Sequence, residues 1–109
     1  MENAAIATLF DEIADLQEIA GENSFQVRAY RRAAETVAGH LSPIEDLSVT
    51  ELRKLPALGA ATSDKIREYV ATGRIHALEK LREEYPRGLL ELRRVPGLGP
   101  KKVAQLYRE

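Results

Sequence analysis

A ten-residue segment occurs twice in this chain, forty positions apart: Glu51-Leu-Arg-Lys-Leu-Pro-Ala-Leu-Gly-Ala60 and Glu91-Leu-Arg-Arg-Val-Pro-Gly-Leu-Gly-Pro100. Six of the ten positions are identical, and Lys/Arg, Leu/Val and Ala/Gly exchanges account for three of the rest. A repeat of this kind predicts a repeated structural unit. The unit reads as a short helix, a tight Pro-x-Leu-Gly turn and a second helix, at about residues 51–70 and 91–108. Gly permits close backbone approach. A helix that starts just after it presents unpaired N–H groups and the positive end of its dipole, a ready site for a phosphate oxygen. Pro100 fits the first position of such a helix. Lys101 and Lys102 then fall in its first turn, where cations oppose the dipole unless an anion lies in front of them. The alternative is that the motif merely turns the chain between packed helices. Two copies, each preceded by a basic pair (Arg53-Lys54 and Arg93-Arg94), weigh against it.

The rest of the chain reads as helix. Ile6, Leu9, Phe10, Ile13, Leu16 and Ala20 recur at helical spacing, predicting a helix over residues 3–20 that ends at Gly21. Asn23 or Ser24 caps a second, running to about Ala38 with Val27, Tyr30, Ala33, Ala34 and Val37 inward. Ser42-Pro43-Ile44-Glu45 reads as a capping box with Pro at the first helical position, and Ser48-Val49-Thr50-Glu51 as another. A helix carrying Ile66 and Val70 follows Gly59 and stops before Gly73, and Ile75, Leu78, Leu81 and Tyr85 mark the next. No alternating strand pattern competes. The expected fold is all-α, a compact bundle of short helices with two helix-hairpin-helix motifs.

Charge is unevenly spread. Residues 1–22 hold six acids and no Lys or Arg, so the remaining 87 residues carry 11 acids against 16 bases, a net +5 within a chain of net charge −1. A basic body behind an acidic first helix is compatible with nucleic-acid contact. The absence of Cys excludes disulfides and thiolate chemistry. No signal peptide or membrane span is readable, so the expected location is cytoplasmic. His40 and His76 stand at separate helix ends without ligand spacing, which argues against zinc.

The hairpin residues resemble the helix-hairpin-helix of DNA repair proteins, apolar-Pro-Gly-apolar-Gly. Val95-Pro96-Gly97-Leu98-Gly99 matches fully, and Leu55-Pro56-Ala57-Leu58-Gly59 departs only at Ala57. With Phe25-Gln-Val-Arg-Ala-Tyr-Arg-Arg-Ala-Ala34, Lys65-Ile66 and Ala71-Thr-Gly73, the order of motifs is similar to the N-terminal region of X-family DNA polymerases across nearly the whole chain. The resemblance implies a lyase-type domain at 1–85 carrying the first hairpin, and the second hairpin at 86–109 opening a further subdomain. The palm with its paired Asp residues is absent, so no polymerisation is expected. The chain looks like an excised N-terminal piece or a stand-alone relative, with a polymerase body as a possible partner.

For sites, the resemblance implies backbone carbonyls of Arg53, Leu55 and Leu58, then Arg93, Val95 and Leu98, holding a monovalent cation (potassium or sodium), with no organic cofactor. Phosphate-facing amides would be those of Gly59, Ala60 and Ala61, and of Gly97 through Gly99 to Lys101 and Lys102, on DNA that is gapped or nicked. Lys65 corresponds to a Schiff-base nucleophile for abasic-site sugars and Tyr30 to a residue of its pocket. The second copy has Gln105 where the first has Lys65, so the scaffold itself does not demand lysine. Gln26 and Ala61 replace two expected phosphate-holding bases, with Arg28 or Arg31 as substitutes, and Asp64 and Glu68 bracket Lys65. The leading expectation is therefore a sequence-nonspecific DNA-binding module. The alternatives are a 5′-deoxyribose-phosphate lyase using Lys65, and a helical protein-interaction module working through the acidic helix.

Overall fold

The amphipathic pattern of the first eighteen helical residues sets the architecture. In a computed structural model that describes residues 3–85, α1 (Asn3–Ala20) buries Ile6, Ala7, Phe10, Ile13, Ala14, Leu16 and Ile19 along one face. Gly21, at φ 78°, ends it by donating to the Glu18 carbonyl while Glu22 donates to that of Gln17, the paired bonds of a Schellman motif. Asn23 then caps α2 (Ser24–Gly39), its side chain accepting from the Phe25 amide at 2.7 Å. The inward set of α2 is the expected one: Val27, Tyr30, Ala33, Ala34 and Val37. α1 packs chiefly on α2, with the Phe10 and Tyr30 rings edge-to-face at 5.8 Å. Burying a side chain of this size contributes about 1.5–3 kcal/mol.

The segment after α2 departs from expectation. Ser42-Pro43-Ile44-Glu45 forms no capped α-helix but a single 3-10 turn, Ile44–Asp46, with Pro43 at the cap position and no side-chain cap bond. Leu47 is extended, and Ser48 immediately begins the next helix, so no length remains for another turn. The clamp comes from far away in sequence. The Asn3 side chain accepts from the Ile44 amide and donates to the carbonyls of His40 and Ser42. Arg67 holds the other end through the carbonyls of Glu45 and Leu47.

The second capping box forms as read. Ser48 and Glu51 cap each other's amides at 3.2 Å and open α3 (Val49–Arg53). The first hairpin leads into α4 (Ala60–Thr72), closed by Gly73 in the left-handed conformation. α5 (His76–Glu84) returns against α1, where Arg82 grips Glu12 with two bonds of 2.6 and 2.7 Å. Ile44, Leu52, Leu58, Ile66, Ile75 and Leu78 complete the same core. The described residues contain only helices and turns. The second hairpin, with Arg93, Val95, Gly97, Leu98, Gly99, Lys101 and Lys102, and the expected boundary at residue 85 lie outside or at the end of the described residues.

Candidate nucleic-acid interface

Four residues make the turn between α3 and α4. Leu58 donates to the Leu55 carbonyl at 3.3 Å, Pro56 holds the second position, and Ala57 occupies the third at φ 66°. That is the pattern of a type II turn, whose third position needs positive φ and ordinarily takes Gly. Ala57 is the one non-glycine with positive φ among the described residues. The glycine expected here from the motif is therefore a backbone requirement. Ala meets it at a cost of about 1–2 kcal/mol.

Gly59 presents the opposite case. Its backbone is extended (φ −101°), and a Cβ built on it would meet nothing within 4 Å. Among the described residues, neither conformation nor crowding calls for glycine there. It caps α4 without a side chain, so no capping oxygen covers the first-turn amides. The Gly59 amide itself donates to the Thr62 hydroxyl at 2.9 Å, and that hydroxyl donates back to the Gly59 carbonyl. The next two residues, Ala60 and Ala61, are exposed and stand in the first turn, where amides have no intrahelical acceptor.

The three carbonyls expected to hold a cation belong to the end of α3 and the turn: Arg53 is the last residue of α3, and Leu55 and Leu58 open and close the turn. Leu55 shares one lone pair with the Leu58 amide, leaving the second. Neutral oxygens at a helix C-terminus, the negative end of its dipole, suit a hard cation. No group of three His, Cys, Asp or Glu side chains that could hold a metal occurs among the described residues.

Lys65 lies in a separate cleft of about 380 Å³ between α1, α2, α4 and α5, lined by Gln17, Gln26, Tyr30, Ala61, Thr62 and Leu81 among others. Its ammonium stands 5.7 Å from the Tyr30 ring centre. The structure thus brings together Lys65, Tyr30 and the neutral Gln26 and Ala61. Of the two arginines suggested as substitutes, Arg31 is engaged elsewhere, bonding Asp15 at 2.9 Å and Glu18 at 2.6 Å. Arg28 is exposed and lies over Phe25, itself 74% exposed. Glu68 accepts from the His76 amide at the start of α5.

The acidic helix is likewise internally matched. Asp15 and Glu18 take Arg31, with Asp11 at 4.0 Å, and Glu12 takes Arg82. Burial, more than neighbouring charge, holds the Asp11 carboxyl above its ordinary range, against the pull of Arg31. Four of its carboxylates thus pair with arginines of neighbouring helices. Sequence reading missed these pairs, and also Thr36, whose hydroxyl donates to the Pro56 carbonyl at 2.9 Å; no local pattern announces a contact between residues twenty apart.

Residues 1–75 match the helix-hairpin-helix domain family. The chain belongs to that family. Along its whole length it is 36% identical to the DNA polymerase/3′-5′ exonuclease PolX of Bacillus subtilis, covering 19% of that protein. It is 30% identical over 108 residues to DNA polymerase lambda of Arabidopsis thaliana, covering 20% of it. The resemblance to X-family DNA polymerases thus holds for the entire chain, which spans about a fifth of the length of these relatives.

Proposed function

We propose that this helix-hairpin-helix domain binds DNA without reading its sequence, by offering backbone amides at the start of α4 to phosphate. Gly59 carries the reading. The turn places Ala where the backbone wants Gly, and Gly where nothing among the described residues needs it. A residue kept bare for no internal reason, at the N-terminus of a thirteen-residue helix, fits close approach by an external anion. The first hairpin's carbonyls would hold a monovalent cation shared with the same phosphate, and the second hairpin, in a following subdomain, would grip a second stretch of backbone. Gapped or nicked DNA is the favoured form. Phe25, exposed on the first turn of α2 and one residue from Gln26 of the cleft, offers a ring face to a base left unstacked at the gap.

Gly59→Ser tests the reading. Serine is as good a helix cap as glycine or slightly better, so stability should change by only a few tenths of a kcal/mol. Its hydroxyl, however, covers the first-turn amides, and affinity for a gapped duplex should fall severalfold. Unchanged affinity in the folded variant would show the hairpin to be only a turn.

A second reading rests on the cleft. Lys65 and Tyr30 stand together where the resemblance places the nucleophile and pocket residue of a 5′-deoxyribose-phosphate lyase.

A further inference from the structure

Types I and II turns differ mainly by a flip of their central peptide, which is here the Pro56–Ala57 bond. Type I puts the third residue at φ near −90°, which Ala tolerates freely, and type II puts it at positive φ, which Ala does not. With Ala57 at φ 66°, the observed turn is the one its own sequence disfavours. Something outside the turn has to hold the peptide in its flipped state.

The Thr36 side chain is placed to do so. From the last turn of α2 its hydroxyl donates to the Pro56 carbonyl at 2.9 Å, the oxygen whose direction the flip reverses. Since the peptide is trans, the Ala57 amide points the opposite way, away from α2. In the repeat, Ala57 corresponds to Gly97, whose amide is among those expected to face phosphate. We propose that Thr36 is a positioning residue for the hairpin: by fixing the Pro56 carbonyl it keeps the Ala57 amide turned outward, towards DNA. This inference rests on the phosphate-binding reading of the hairpin. It adds the device that lets a turn without its first glycine keep the competent geometry. Loss of the bond lets the peptide flip back, and apparent affinity falls by the fraction of molecules in the wrong state.

The experiment compares gapped-DNA affinity of the full chain with that of Thr36→Val, Thr36→Ser, Ala57→Gly and the combination of Thr36→Val with Ala57→Gly, all well below their unfolding temperatures. Thr36→Val keeps shape and removes the donor, and should weaken binding about three- to tenfold, the worth of one hydrogen bond. Thr36→Ser should restore affinity to within twofold. In the Ala57→Gly background, where positive φ carries no penalty, Thr36→Val should cost less than twofold. A residue acting only through global stability would lose the same factor in both backgrounds, and that result overturns the proposal, as does wild-type affinity in Thr36→Val. A direct readout guards against a misfolded variant. The nuclear Overhauser contact between Pro56 Hα and the Ala57 amide is strong in the flipped form and should weaken in Thr36→Val; an unchanged contact also refutes the role. Failure of the underlying reading looks different: Gly59→Ser would then bind DNA normally.

Discussion

Lys65 is the only charged side chain among the described residues lining its cleft. Schiff-base chemistry on an abasic sugar asks two things of such a site, a lysine free to act as a nucleophile and other cations to hold the phosphate. With Gln26 and Ala61 neutral and Arg31 bound to Asp15 and Glu18, Lys65 is left to meet the phosphate itself. Borohydride trapping on an incised abasic site should therefore give a weak adduct in the wild type, none in Lys65→Ala, and a stronger one in Gln26→Lys. A strong wild-type adduct would make this an efficient lyase, and one that persists in Lys65→Ala would point to another amine. The neighbouring hairpin shows what single residues could and could not reveal beforehand. The motif marked both glycine positions, and Ala57 stood out as the departure. Only the dihedral angle of Ala57 and the space around Gly59 separate a position whose backbone calls for glycine from one where the described residues do not.

Helix boundaries were legible because their signals are local: Gly21 and Gly73 at left-handed φ, Asn23 as a cap, and the Ser48–Glu51 box. The bonds between helices were not, since Asn3 to Ile44, Arg67 to Leu47 and Arg82 to Glu12 depend on packing that no short window contains. Ser42-Pro43 failed for the same reason, its local pattern overridden by the Asn3 clamp and the nearness of the next cap. Arg31 illustrates the energetic consequence. It joins α2 to Asp15 and Glu18 of α1 and lies 4.0 Å from Asp11. Arg31→Met should destabilise the domain by about 1 kcal/mol at neutral pH, a modest figure because the partners are part-exposed. The deficit should depend on pH. Burial, with smaller help from Asp15 and Glu35, already pushes the Asp11 carboxyl up, and removing the arginine takes away its opposing pull. A carboxyl held above its unfolded value adds stability at low pH that is lost as pH rises through its folded titration. The variant should therefore approach the wild type as pH falls from 7 towards 4, read as converging urea midpoints. A constant or widening gap would show that the cluster does not act through charge.

At the scale of the whole molecule, the pairing of charges bears on where a polyanion would approach. Net charge of −1 would repel a polyanion if it were evenly spread, yet Glu12, Asp15 and Glu18 of the acidic helix are matched by Arg82 and Arg31. Arg53 and Lys54 remain exposed beside the first hairpin, and Arg28 stands exposed on the first turns of α2. On the reading proposed above, these exposed cations would steer DNA towards the hairpin, and backbone amides would supply contacts that carry no base information. Two consequences can be measured together. Scrambling the duplex sequence on both sides of a fixed gap should change affinity by no more than a few-fold, because phosphate contacts position a protein without specifying bases. Affinity should also fall with salt, with a log–log slope of about −0.9 for each phosphate neutralised on duplex DNA. Arg53→Ala together with Lys54→Ala should flatten that slope, whereas Gly59→Ser should lower affinity at every salt concentration and leave the slope nearly unchanged, since a neutral amide does not displace the cation condensed on a phosphate. A slope unaffected by removing the basic pair would move the electrostatic contact away from this hairpin.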